Sequence, residues 1–191
     1  MPQRPQGHPL EPDRTTLSPS SYPMFCPHVT LATVRSGDEV PSGLLANLAK
    51  GRQSIRLNFL SLVVGDHYFR SLLVSARPTE DLLALRDEIT ETLSHLYPRP
   101  APMFPHLSLA YIADEDAEAG ERERIAQSLR ERGVVVEDES SHTVSLRCGE
   151  VCLSGVDLAE IWLVDCEGPV EGWSVRDKIS LPGASEVHVM Y

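Results

Sequence analysis

No stretch of the chain approaches the roughly 18 consecutive apolar residues that a membrane-spanning helix needs. The opening MPQRPQGHPLEPDRTT also lacks the apolar core of a secretory signal. The expectation is a soluble, intracellular, cytoplasmic monomer with no membrane partner. Basic residues are scarce: 17 Lys and Arg stand against 28 Asp and Glu, a net charge of -11. A field of that sign repels long polyanions, so duplex or long RNA is disfavoured as a partner. A small phosphate ester is acceptable, because a few local donors outweigh a repulsive field that salt screens within about 10 Å. Cys26, Cys148, Cys152 and Cys166 form no C-x-x-C pair and read as reduced, partly buried thiols. No His/Cys/carboxylate cluster has metal-ligand spacing, so neither a metal nor another cofactor is expected. The absence of a G-x-S-x-G elbow argues against a serine hydrolase.

What is present suffices for one structural unit: 191 residues, 41% of them hydrophobic. Residues 1 to about 22 carry five prolines among polar residues with no hydrophobic period, and read as an unpaired arm before a domain over 23–191. Phe25 to Val34 alternates like a strand, and Pro41 to Lys50 reads as a short helix ending at Gly51. IRLNFLSLVV and HYFRSLLVSA, separated by Gly65-Asp66, read as an antiparallel hairpin. Thr79 is placed to cap a helix carrying Leu82, Leu85, Ile89, Leu93 and Leu96 at helical spacing, and Pro98, Pro100, Pro102 and Pro105 stop it. HLSLAYI is a second alternating strand. Glu115 to Arg132 reads as one charged helix with a solvated face. Three more strand-like runs follow, HTVSLRCGEVCLSGV, EIWLVDCEG and WSVRDKISL. The fold class is α+β, antiparallel sheets covered by helices.

The informative feature is one pattern written twice, PHVTLA at Pro27–Ala32 and PHLSLA at Pro105–Ala110, with His106 78 positions after His28. On a strand, residues i and i+2 share a face. His28 with Thr30, and His106 with Ser108, are therefore expected on one side, with Val29, Leu31, Leu107 and Leu109 in the core. Hydroxyls donate to non-bridging phosphate oxygens, while one imidazole takes a proton from water and the other gives one to the leaving oxygen. A strained cyclic phosphate suits such a pair. A bare H-x-[ST] is weak, since seven histidines give about one match by accident, but two copies of a six-residue pattern are far more specific. His8, His67, His95, His142 and His188 lack the pattern and read as surface or packing residues.

At these residues the chain resembles the two-histidine (2H) phosphoesterase superfamily, most closely its fungal and plant cyclic phosphodiesterases. The resemblance runs from about Phe25 to Leu181 and includes GDHYFRSLLV and the ending Trp162-x-Val164-x-x-x-Gly168-Pro169-Val170-x-x-Trp173. It implies a bilobal fold with pseudo-twofold symmetry, helices on the outer faces and one H-x-[ST] motif per lobe in a central cleft. It also implies hydrolysis of ADP-ribose 1'',2''-cyclic phosphate to ADP-ribose 1''-phosphate, downstream of tRNA splicing. Nucleoside 2',3'-cyclic phosphates would be opened to 2'-phosphates, the reaction of a 2',3'-cyclic-nucleotide 3'-phosphodiesterase. His28 and His106 would be catalytic, Thr30 and Ser108 would bind the phosphate, Tyr111 would lie near it, and Tyr68 and Phe69 would flank the base or ribose. Relatives usually carry a strand and a helix before the first motif, where this chain has about 24 mostly polar residues. Some relatives are assigned to the Golgi. The alternatives are a relative acting on RNA ends, as a 2',5'-ligase or RNA cyclic phosphodiesterase, and a non-catalytic nucleotide-binding module.

Overall fold

In the computed structural model, which describes residues 17–183, the alternation of IRLNFLSLVV becomes a ten-residue strand, β2 (Ile55–Val64). It buries Ile55, Leu57 and Phe59 on one face. A register shift between Phe59 and Ser61 then lets Leu62 rejoin that face, where strict alternation would have turned it outwards. The hairpin partner is β3 (Leu72–Ala76). The turn is longer than two residues, because Tyr68–Arg70 form a 3-10 turn before the strand resumes. Gly65 is needed there: a Cβ would meet the Arg70 carbonyl oxygen at 2.0 Å.

β5 (His106–Ala110) pairs with β3, and β9 (Gly155–Leu158) with β2, giving a four-stranded antiparallel sheet in the order β5-β3-β2-β9. β6 (Val135–Asp138), β7 (Thr143–Cys148) and β8 (Val151–Leu153) make a three-stranded sheet, and β10 (Glu160–Asp165) with β11 (Ser174–Ser180) a two-stranded one. All pairings are antiparallel.

Helices cover two hydrophobic cores. The short α1 (Leu44–Ala49) and α2 (Glu80–Thr92) supply Leu45, Leu48, Leu82, Leu85 and Ile89 to the first, beside Ile55 and Leu57. Thr79 caps α2 as expected, accepting from the Leu82 amide at 3.3 Å. The second core holds Phe59, Leu62, Leu72, Val74 and Leu107. It is closed by Ile125, Ala126 and Leu129 of α4 (Glu121–Glu131). Val29 and Val156 pack against both cores and mark the seam between them.

Several expectations need correction. The Phe25–Val34 strand survives in a ladder only as β1 (Ala32–Thr33), paired with β4 (Arg99–Pro100); the preceding residues have no neighbouring strand to pair with among those described. The single charged helix is two, α3 (Asp114–Glu118) and α4, divided where Gly120 takes a left-handed φ of 85°. Its charges are not all solvated: Asp116, Glu121 and Arg122 are buried; Arg122 donates to the Gly65 carbonyl, and the two carboxylates hold residues 18–22. Asp116 accepts from the Ser18 amide and the Ser21 hydroxyl, and Glu121 from the Tyr22 hydroxyl. Residues 18–22 of the expected unpaired arm are thus fastened to the body, while 1–16 lie outside the described residues. The four thiols are exposed rather than partly buried. The three runs from His142 onwards form five strands, β7 to β11, because Gly149 and the Ser154 step break the first run.

Candidate active site

The second motif is built on β5. Register pairs Ser75 with His106 and Leu73 with Ser108, and β5 buries His106, Leu107 and Ser108 together. Leu107 fills the second core, with Leu109 half-buried against it, so the alternation turns His106 and Ser108 to the other face. The first motif lies on the unladdered segment before β1. Val29 and Leu31 pack into the cores, leaving half-buried His28 and Thr30 facing away from them, beside the seam.

Both imidazoles are held the same way. His28 Nδ1 lies 2.7 Å from the Cys26 carbonyl oxygen, and His106 Nδ1 lies 3.2 Å from that of Met103. A carbonyl only accepts, so each Nδ1 carries a proton and Nε2 is the position at which each ring can exchange one. Burial lowers the His106 pKa below the usual histidine value, against the Met103 hydrogen bond, and the charges of Arg70 and His28 push it the same way. His106 is therefore set to be neutral near pH 7.

An aromatic wall joins the two motifs. Tyr111 stacks on Phe25 at 4.2 Å and meets Phe69 edge-on at 5.5 Å, with Tyr68 at 5.7 Å. Trp173 stands 6.3 Å from the His28 ring, 5.8 Å from Phe69 and 6.4 Å from Tyr111. The Ser108 hydroxyl donates to the Phe69 carbonyl at 3.3 Å, tying the hairpin turn to the second motif. Tyr111 is buried, which raises its pKa and keeps the phenol protonated as a donor; Ser108 partly opposes that rise. Beside this wall a cavity of about 340 Å³ opens between Pro19 and Ser20, the Tyr68–Phe69 turn and Gly168–Glu171. The Tyr68 hydroxyl donates to the Ser20 carbonyl at 2.9 Å.

Six of the seven expected site residues, His28, His106, Ser108, Tyr111, Tyr68 and Phe69, are linked by these contacts; Thr30 is half-buried two residues along from His28. Residues that the motif reading passed over stand among them: Phe25, Arg70 and Trp173. Trp173 lay in the quoted ending, and Arg70 directly follows Phe69, so both were in view without a role. Among the described residues no group of three or more His, Cys, Asp or Glu is placed to hold a metal ion, and no helix is long and apolar enough to cross a membrane.

The class of protein, a phosphodiesterase, follows from the family that the chain matches. A sequence model of the cyclic phosphodiesterase-like protein family matches residues 12–181, and the chain belongs to that family. No curated protein matches it.

Proposed function

We propose that the protein opens small cyclic phosphates: ADP-ribose 1'',2''-cyclic phosphate to the 1''-phosphate, and nucleoside 2',3'-cyclic phosphates to 2'-phosphates. The supporting observation is the matched pair of imidazoles, each with Nδ1 bound to a carbonyl and Nε2 left free, one of them pushed towards the neutral form. Neutral His106 takes a proton from water as its oxygen bonds to phosphorus. The P–O3' bond breaks in line, and His28, entering the step with a second proton on Nε2, delivers that proton to the departing 3'-oxygen. Thr30 and Ser108 donate to the non-bridging oxygens, and Tyr111 adds a neutral donor beside them. Tyr68 and Phe69 give the base or ribose a flat apolar surface. One motif would come from each of two symmetry-related lobes, the two cores being their counterparts here.

The test is phosphorus NMR of products after incubation with both substrate types, with and without excess chelator. The expected result is a 2'-phosphate or a 1''-phosphate, formed at the same rate in chelator. A dominant 3'-phosphate would place the ester in the reverse orientation, and no turnover of either type would overturn the proposal.

A further inference from the structure

The two motifs supply neutral hydroxyls and titrating imidazoles, yet the ligand they suit is an anion and the chain carries a net charge of -11. Holding a phosphate in that field calls for a permanent local cation. Arg70 is placed to be that group. Its backbone is fixed by Ser71, fully buried, whose hydroxyl donates to the Tyr68 carbonyl at 2.8 Å and accepts from the Ile112 amide at 2.9 Å. Gly65 closes the same turn by donating to the Ser71 carbonyl at 3.1 Å. One residue earlier, the Phe69 carbonyl receives the Ser108 hydroxyl, so Arg70 is anchored directly beside the second motif. Its positive charge reaches His106.

The guanidinium is under-used by the protein itself. Its Nε is buried without a hydrogen-bond partner among the described residues. Its one ion pair among the described residues, Nη2 to Asp66 at 3.4 Å, is long, and the Asp66 side chain is 93% exposed. A buried donor left unpaired costs stability and calls for an explanation. Trp173 Nε1, whose ring stands 6.3 Å from that of His28, is a second such donor among the described residues.

We propose that Arg70 is the cationic phosphate-binding residue of the cleft, its guanidinium taking a non-bridging oxygen of the cyclic ester and then of the monoester product. The proposal takes its ligand from the hydrolase reading above but is tested without turnover. Titration calorimetry with adenosine 2'-monophosphate is carried out on the whole chain and on Arg70→Gln and Arg70→Lys. Arg70→Gln is expected to bind at least about tenfold more weakly, with a shallower salt dependence, and Arg70→Lys to fall between it and the wild type. A folded Arg70→Gln protein that binds within about twofold of wild type overturns the proposal. If that variant does not fold, phenylglyoxal modification of the wild-type protein decides. Protection of Arg70 by adenosine 2'-monophosphate, read by peptide mass mapping, supports the site, and an unchanged rate of modification overturns it. In the folded variant the limb of the kcat/KM profile belonging to His106 also moves to higher pH, which a merely structural arginine would not cause. Arg70-dependent binding without hydrolysis leaves this site standing and removes the hydrolase; hydrolysis with Arg70-independent binding does the reverse.

Discussion

PHVTLA and PHLSLA are nearly the same six residues, yet the fold supports them differently. His106 and Ser108 are buried in the four-stranded sheet, paired residue for residue with β3. His28 and Thr30 are half-buried on a segment that joins a ladder only at Ala32. A local pattern therefore fixes which chemical groups are offered, and the neighbouring strand fixes how firmly. What the motifs share is carried by local geometry: the Nδ1 to carbonyl bond reaches only two or three residues back in each.

The largest effect should erase the comparison. His28→Ala and His106→Ala are each expected to cost about 10²- to 10⁴-fold in turnover while leaving the protein folded, because proton transfer needs both rings however differently they are held. Steady-state kinetics with a 2',3'-cyclic nucleotide checks this. Near-normal turnover in either variant would show that only one motif is chemical and the other a coincidence of sequence.

The next effect should sharpen the comparison through stability. Leu107, buried in the second core, is expected to cost about 2–5 kcal/mol when cut to alanine. Leu31, half-buried beneath the first motif, should cost about 1 kcal/mol. Denaturant unfolding of the two variants measures the gap, and equal losses would mean that the first motif is as firmly built as the second.

The contrast also shows what was legible. Hairpin, capped α2, both apolar faces of the motifs and the α+β class follow from alternation and helical spacing, which are local. Whether Phe25–Leu31 finds a strand partner is decided by distant chain, so alternation alone overstated it. The buried Asp116, Glu121 and Arg122 were misread for the same reason. Their partners Ser18, Ser21, Tyr22 and the Gly65 carbonyl lie 57 to 99 residues away and leave no mark on helical periodicity. The candidate site was legible where its residues are written in a repeated motif. Arg70 and Trp173 were not, because a single arginine or tryptophan gains meaning only from what surrounds it.

A smaller effect separates the hydroxyls. If Ser108 and Thr30 bind the phosphate as proposed, Ser108→Ala and Thr30→Ala each remove one donor to it, a loss of about 1.5–3 kcal/mol, or roughly ten- to a hundredfold in kcat/KM. Ser108→Ala should sit at the upper end, since Ser108 is buried in the sheet while Thr30 is half-buried on the segment before β1, and Thr30→Ala at the lower. Reversed ranking would place the phosphate nearer the first motif.

The smallest effect is on pH dependence, and it falls on the buried motif. His106 has its pKa lowered chiefly by burial, from an unfolded value of about 6.5. As pH falls through that unfolded value the unfolded chain binds a proton at this position that the folded chain still refuses. Stability tied to His106 is therefore present above about pH 6.5 and declines below it, until the folded-state pKa is passed and the decline levels off. Unfolding midpoints measured from pH 7.5 down to 5 on wild type and His106→Gln check it: the variant should lose less stability over that range, because glutamine does not titrate. The same lowered pKa sets the acid limb of kcat/KM, so activity should persist below pH 6.5 further than an ordinary histidine base would allow. Parallel stability curves for the two proteins, with an acid limb at the ordinary histidine value, would show that the buried motif carries no electrostatic distinction and that the two copies differ in packing alone.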